Sequence, residues 1–214
     1  MPLSRAQLSA LISSRLASND VTNVITPKDF REVLLEVLSA ANLTSEPVRN
    51  ASSASLSLNL GSGVETYLVG STLAVPAAGL KIGSSFHWRF SMQKSGVGTA
   101  AGSLRLRAGP TGDESDPTVS IFTKKAGTSA IDAGIFDIVS VVQSLGASAQ
   151  IASMMVLMHD LSATGFATTP NVVQLATGTL DLTQAGLKFG ITYVNGANDS
   201  YTCPLLVAEL VNTN

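Results

Sequence analysis

The chain has 214 residues; 45% are hydrophobic, only 13% are charged, and the net charge is −2. This length allows one β domain and a smaller appendage. A single adjacent basic pair, Lys124–Lys125, excludes the dense basic footprint of a nucleic-acid-binding protein. No apolar run approaches the roughly 20 residues of a transmembrane helix, and the N-terminus lacks the apolar stretch of a signal peptide. We therefore expect synthesis in a cytoplasm and no membrane insertion.

Two short α-helices are predicted at the N-terminus, within residues 1–42. Ser4 is the expected N-cap of the first. Thr26 caps the second, and Pro27 occupies its first helical position, where the missing N–H costs nothing. Asp29 follows in the first turn, where a negative charge suits the helix dipole. This helix carries the apolar residues that we predict to mediate anchoring and assembly: Ile25, Phe30, Val33, Leu34, Val37 and Leu38.

These helices are too short to be stable on their own. Their apolar stripe needs a partner, which is the β domain, further copies of the same helices, or another protein. Residues 43–54 are polar and contain Pro47, so we predict a linker there. The rest of the chain, residues 55–214, forms the second predicted domain.

From residue 55 onward, apolar and polar residues alternate with a period of two. Phe86, Trp88, Phe90 and Met92, for example, are separated by polar residues, which predicts strands with one buried face. Turn-forming clusters separate such segments, as expected for an all-β sandwich. The connections are too short for crossover helices, so the sheets should be antiparallel.

Three predicted strands are apolar on nearly both faces. They cover residues 135–142, 151–158 and 205–211. Such a strand either lies under a loop or the N-terminal helices, or is buried where subunits meet. Both explanations stay open from the sequence.

The two histidines are the candidates for catalytic groups. His87 lies opposite the aromatic residues of its strand, and His159 ends an apolar strand and is followed by Asp160. A histidine beside an aspartate can act as a general base, but no Gly-x-Ser-x-Gly nucleophile elbow accompanies the pair. We therefore predict no catalytic residue and no enzyme activity.

Metal and cofactor sites are also not predicted. The loop of residues 109–117 contains three carboxylates but lacks the spacing of an EF-hand, and solvated acidic turns are common. Cys203 is the single cysteine and lies in an apolar run, which indicates a small buried side chain rather than a reactive thiol.

Two stretches resemble proteins of tailed bacteriophages. Residues 3–8 (LSRAQL) and 24–34 (VITPKDFREVL) resemble the start of phage fibre and appendage proteins, where this segment helps to attach or trimerise the appendage. Residues 80–90 (LKIGSSFHWRF) together with residues 185–190 (AGLKFG) are similar to small jelly-roll domains of tail-fibre and head-fibre proteins. The resemblance implies a mainly β, jelly-roll-like sandwich preceded by two helices.

The resemblance also implies a role in the virion. The expected function is that of a homotrimeric fibre-type appendage, with itself and other virion proteins as partners and a host surface glycan as a further possible one. A capsid cement or decoration protein is the first alternative, because the chain is short and has no repetitive shaft. A carbohydrate-binding module without catalysis is the second.

Overall fold

A computed structural model of the chain describes residues 48–52, 56–58, 65–76, 79–123, 127–159, 166, 172–194, 196 and 200–212. In these ranges the chain is built from β-strands, and none of it is a helix that could cross a membrane. The strands are β1 (Val48–Ser52), β2 (Leu56–Leu58), β3 (Glu65–Tyr67), β4 (Leu73–Ala74), β5 (Ser85–Lys94), β6 (Ser103–Gly109), β7 (Thr118–Thr123), β8 (Asp132–Val142), β9 (Ala149–His159), β10 (Val172–Leu180), β11 (Lys188–Val194) and β12 (Tyr201–Val211).

The strands form two sheets that pack as a sandwich. The larger sheet has the order β1-β12-β5-β8-β9-β10, with β2 also paired to β12. The smaller sheet has the order β3-β11-β6-β7, with β4 also paired to β11. Every pairing is antiparallel. The predicted mainly β, antiparallel, sandwich-like fold is thus confirmed for the described part of the chain.

The core lies between the sheets and follows the alternation in the sequence. On β5, Phe86, Trp88, Phe90 and Met92 are all buried, because successive side chains of a strand point to opposite faces. Alternate residues of β6, β8, β9, β11 and β12 belong to the same buried cluster. Each large side chain that is fully buried contributes about 1.5 to 3 kcal/mol.

Aromatic rings join the two sheets across the core. The rings of Phe86 on β5 and Phe189 on β11 stack with centroids 4.1 Å apart, and Tyr193 on β11 meets Tyr201 on β12 edge-on at 5.2 Å. The indole of Trp88 donates to the carbonyl of Ser71 at 2.7 Å, so its one polar group is satisfied inside the core. These contacts fix the position of the larger sheet against the smaller one.

The structure adds strands that the alternation did not predict. β1 lies within the expected linker, residues 43–54, and pairs with β12 at the edge of the larger sheet. Backbone hydrogen bonds make this pairing, so it needs no apolar pattern. β10 carries Gly178 among Ala and Thr residues and was not predicted.

Candidate assembly surface

The side of the larger sheet that faces away from the core is called the outer face here. It consists of alternate residues of β12, β5, β8, β9 and β10, which the strand register places side by side. One row, for example, runs from Glu209 through His87, Val139 and Met154 to Leu175. The strands that the sequence showed as apolar on both faces are β8, β9 and part of β12, so their second apolar face is the outer face.

One half of the outer face is apolar. It comprises residues of β8, β9 and β10 that are half-buried or exposed: Ile135, Val139, Val141, Ala152, Met154, Val156, Met158, Val173 and Leu175. Leu175 is 79% exposed, Met158 is 44% exposed and Met154 is 39% exposed. A contiguous apolar patch of this kind is typical of a site of protein interaction.

A small charged cluster on β5 and β8 reaches into the β8 part of this apolar half, between Ile135 and Val139. Asp137 accepts hydrogen bonds on Oδ2 from Nε and Nη2 of Arg89, at 3.1 and 2.5 Å. Its Oδ1 lies 2.5 Å from Nε2 of His87. Burial by itself would raise the pKa of the Asp137 carboxyl, but the hydrogen bonds from Arg89 and His87 leave that pKa below its ordinary value. The charge of Asp137 is therefore neutralised within the surface.

A second polar cluster is buried where the ends of β5, β8 and β9 approach Phe166. The Nζ of Lys94 donates to the carbonyls of Gly96 at 2.9 Å and Thr128 at 2.8 Å. Oδ2 of Asp132 lies 3.2 Å from Nδ1 of His159 and accepts from the backbone N–H of Phe166 at 3.2 Å. These groups tie loops to strand ends, as buried polar groups usually do.

His159 has a carboxylate partner that the sequence did not indicate, and Asp160 lies outside the described residues. The carboxylate beside it belongs to Asp132, on the neighbouring strand, and both side chains are fully buried. An open cleft of about 500 Å³ lies beside this cluster and is lined by Lys94 and Asp132 together with residues 93, 95, 131, 133 and 202. The side chains of His159 and Asp132 have no exposed area themselves, although the cleft borders Asp132.

The smaller sheet carries an ion cluster on its own outer side. Glu65 accepts from Nη1 of Arg105 at 2.8 Å and from Nε and Nη2 of Arg107 at 2.6 and 2.7 Å. Thr192 donates to the same carboxylate. Burial alone would raise the pKa of Glu65, but the hydrogen bonds from Arg107 and Thr192 and the two positive charges lower it. The cluster fastens the short strand β3 to β6 and β11.

Two of the three carboxylates in the acidic loop of residues 109–117 accept from backbone groups of the loop itself. Asp116 accepts from the backbone N–H of Thr111 at 3.2 Å and from that of Gly112 at 2.6 Å. Asp113 accepts from the N–H of Ser115 at 2.8 Å. Within the described residues, no group of three or more His, Cys, Asp or Glu side chains is placed to hold a metal ion.

The residues that we predicted to mediate assembly lie outside the described part of the chain. Those residues are Ile25, Phe30, Val33, Leu34, Val37 and Leu38, and they stay a prediction. Cys203 is buried, as predicted, and burial raises the pKa of its thiol to about 11. The outer face of the larger sheet was indicated by the doubly apolar strands, but its cluster around Asp137 was not foreseen. That cluster joins residues about 50 positions apart, which only strand pairing brings together.

Comparison with known proteins does not assign the chain to a family. No protein-family model and no curated protein matches the chain. Among solved structures, the CBM2 module of the evolved Dit of Lactobacillus casei BL23 phage J-1 aligns at 10% identity and a TM-score of 0.31, covering 67% of this chain and 68% of that chain. A lectin from Bauhinia forficata, in complex with GalNAc, aligns at 12% identity and a TM-score of 0.31, covering 80% and 94%. Similarity at this level defines neither a shared fold nor a shared function.

Proposed function

We propose that this chain is a non-catalytic structural protein of a phage virion, a trimeric fibre-type appendage. Its N-terminal residues anchor it to the particle and its β domain projects. The observation that carries the proposal is the apolar outer face of the larger sheet, since a surface of this kind is suited to assembly rather than to chemistry. The similarity of residues 3–8 and 24–34 to phage appendage proteins supports the choice of particle.

The strand order supports a jelly-roll arrangement of this domain. The larger sheet contains the order β1 or β2, β12, β5, β8, and the smaller sheet has the order β3 or β4, β11, β6, β7. Two facing four-stranded sheets connected in this way are the pattern of a jelly roll built from Greek keys. The β9–β10 hairpin then extends one sheet beyond that pattern, and it supplies much of the apolar half of the outer face.

The polar groups of the domain support a structural role as well. The carboxylates of Glu65, Asp116 and Asp137 are each held by several donors of the domain itself. A catalytic carboxylate or base instead needs access to a substrate. The described polar clusters therefore serve the fold.

The anchoring role is tested with Leu34→Asp, which places a charge in the middle of the predicted helix stripe. We expect the variant to be lost from purified particles while the β domain keeps its circular dichroism spectrum. Arg31→Asp introduces the same side chain on the outward side of the same predicted helix and is the matched control. Wild-type incorporation of Leu34→Asp would refute anchoring by this stripe.

The position on the particle separates a fibre from a capsid decoration. Gold-labelled antibody against the β domain should mark tail or fibre structures if the chain is an appendage. Uniform labelling of the capsid shell would instead establish the cement or decoration role. Absence of the chain from particles purified to constant composition would end both proposals.

A carbohydrate-binding role has less support in the described residues. Every Phe and Trp among them is buried, including Trp88, so these rings do not offer a sugar a platform. Tyr67 is half-buried and packs across Gly190. Binding on a glycan array that is lost in Tyr67→Ala would nevertheless move the assignment to this class.

A further inference from the structure

We infer that the outer face of the larger sheet packs against the outer face of a second copy of this chain. The inference goes beyond the proposed structural role, because contact between like faces pairs two copies about a two-fold axis and is therefore separate from the contact that forms a trimer. It is argued from the size of the face, from its charges and from the side chains that it exposes.

The outer face is large enough for a stable contact. Five strands, β12, β5, β8, β9 and β10, lie side by side in it. At a strand spacing of about 4.8 Å and a shared length of about 30 Å, they present roughly 700 Å². A stable specific interface buries about 800 Å² on each partner, which is close to this value. A small ligand or a single short peptide would leave much of this surface in water.

The charges of the face fit a copy of itself better than a partner of one sign. Arg89 is positive, while Asp137 and Glu209 are negative, and all three belong to the same surface. When two identical patches meet, the positive side chain of one copy can lie opposite a negative side chain of the other. A nucleic acid or an anionic lipid surface would instead need an excess of basic side chains.

Burial of the cluster around Asp137 would not isolate a charge. Both carboxylate oxygens of Asp137 are already occupied, one by Arg89 and the other by His87. A charge that is paired before burial avoids the large cost of an unpaired one. The cluster can therefore lie within or beside a contact between copies.

The apolar half supplies the attraction between copies. Leu175 and Val173 on β10 stand beside Met154 and Val156 on β9 in the same rows. Methionine side chains are flexible and adapt their shape to the opposing surface. No charged residue interrupts these rows on β9 and β10, so two such halves exclude water from each other.

The first test measures the mass of the full chain by light scattering during size exclusion over a concentration series. We expect a multiple of the 22.0 kDa chain mass that falls toward 22.0 kDa on dilution. Leu175→Lys and Met154→Lys should each raise the dissociation constant about tenfold or more. Ile121→Lys is the matched control, since Ile121 is 53% exposed on the smaller sheet; its mass profile should equal that of the wild type.

The second test uses the wild-type chain, so it does not depend on whether a variant folds. Peroxide should oxidise Met154 and Met158 more slowly as the concentration passes through the association range. Met92 and Met155 are fully buried in the core and should stay protected at every concentration. Mass spectrometry of the oxidised peptides reports each methionine.

Three outcomes would overturn the inference. The wild type has a mass of 22.0 kDa at all concentrations, both lysine variants keep the wild-type mass, or Met154 and Met158 are oxidised equally in dilute and concentrated protein. Protection of these methionines in the 22.0 kDa species would mean that residues of the same chain cover the face. Association in solution and presence in particles are separate measurements, so either proposal can fail while the other stands.

Discussion

At the scale of single residues, ion clusters decide how the short elements are held. Strand β3 has only three residues, Glu65–Tyr67, and such a strand gains little from its own ladder. The carboxylate of Glu65 joins it to two arginines of β6 and to Thr192 of β11. The Glu65 carboxylate contributes to stability through hydrogen bonds between charged groups, which are stronger than those between neutral groups.

Glu65→Gln should therefore destabilise the domain. Both Arg105 and Arg107 would lose their carboxylate while remaining partly buried, and an unpaired charge of this kind costs about 3 kcal/mol. Denaturant unfolding followed by circular dichroism measures the loss. Glu114→Gln is the matched control, because its amide oxygen can still accept from the N–H of Tyr67; equal stabilities of the two variants would contradict the role of Glu65.

The same carboxylates make stability depend on pH. The pKa values of Glu65 and Asp137 are lowered in the folded chain, so the unfolded chain binds more protons in the acidic range. Their stabilisation is complete above the ordinary carboxyl pKa values and is lost as the pH falls through the lowered ones. We expect the free energy of unfolding to decrease between about pH 5 and pH 2. Glu65→Gln should show a smaller decrease; an identical slope would count against Glu65 as a source.

At the scale of elements, β10 closes one edge of the sandwich through Gly178. A Cβ at this position would overlap the backbone carbonyl of Val119 on β7. Gln174 of β10 also donates to the carbonyl of Thr123 at the end of β7. The last strand of the larger sheet therefore lies against the last strand of the smaller one, and a side chain at residue 178 would force them apart.

Gly178→Ala is expected to destabilise the domain by about 1 to 3 kcal/mol, the usual cost of overpacking a close contact. Chemical denaturation gives the value, and hydrogen exchange of β10 amides should increase more than that of β5 amides. Thr179→Ala changes the exposed neighbour on the same strand and should alter stability much less. Unchanged stability of Gly178→Ala would show that the two edges are not in close contact.

At the scale of the whole molecule, self-association through the outer face would couple stability to concentration. A partner that binds only the folded chain raises the melting temperature by mass action. We expect the Tm of the wild type to rise as the chain concentration rises, and that of Leu175→Lys to stay nearly constant. Differential scanning calorimetry over a hundredfold range of chain concentration is sufficient, because that range corresponds to about 3 kcal/mol of association free energy. A Tm independent of concentration in the wild type would contradict association.

Much of the fold follows from local pattern. The alternation of Phe86, Trp88, Phe90 and Met92 predicts both the strand and its buried face, because a side-chain period of two leaves little choice where one face is apolar. Apolar runs, rather than alternation, indicated β8, β9 and β12. The apolar pattern did not predict β1 and β10, which are polar or contain glycine. These segments are strands because they pair with a neighbour, not because of their own composition.

The amino-acid sequence by itself determined that this protein is mainly β, which faces of its long strands are apolar, and that Cys203 is buried, because each of these depends on residues close together in the chain. Only the tertiary structure decided that the second apolar faces of β8, β9 and β12 belong to one surface beside the Asp137 cluster, and that Glu65 joins β3 to two arginines of β6. The Asp137 cluster and the Glu65 contacts join residues 40 or more positions apart. Strand order and register, which local composition does not encode, bring them together.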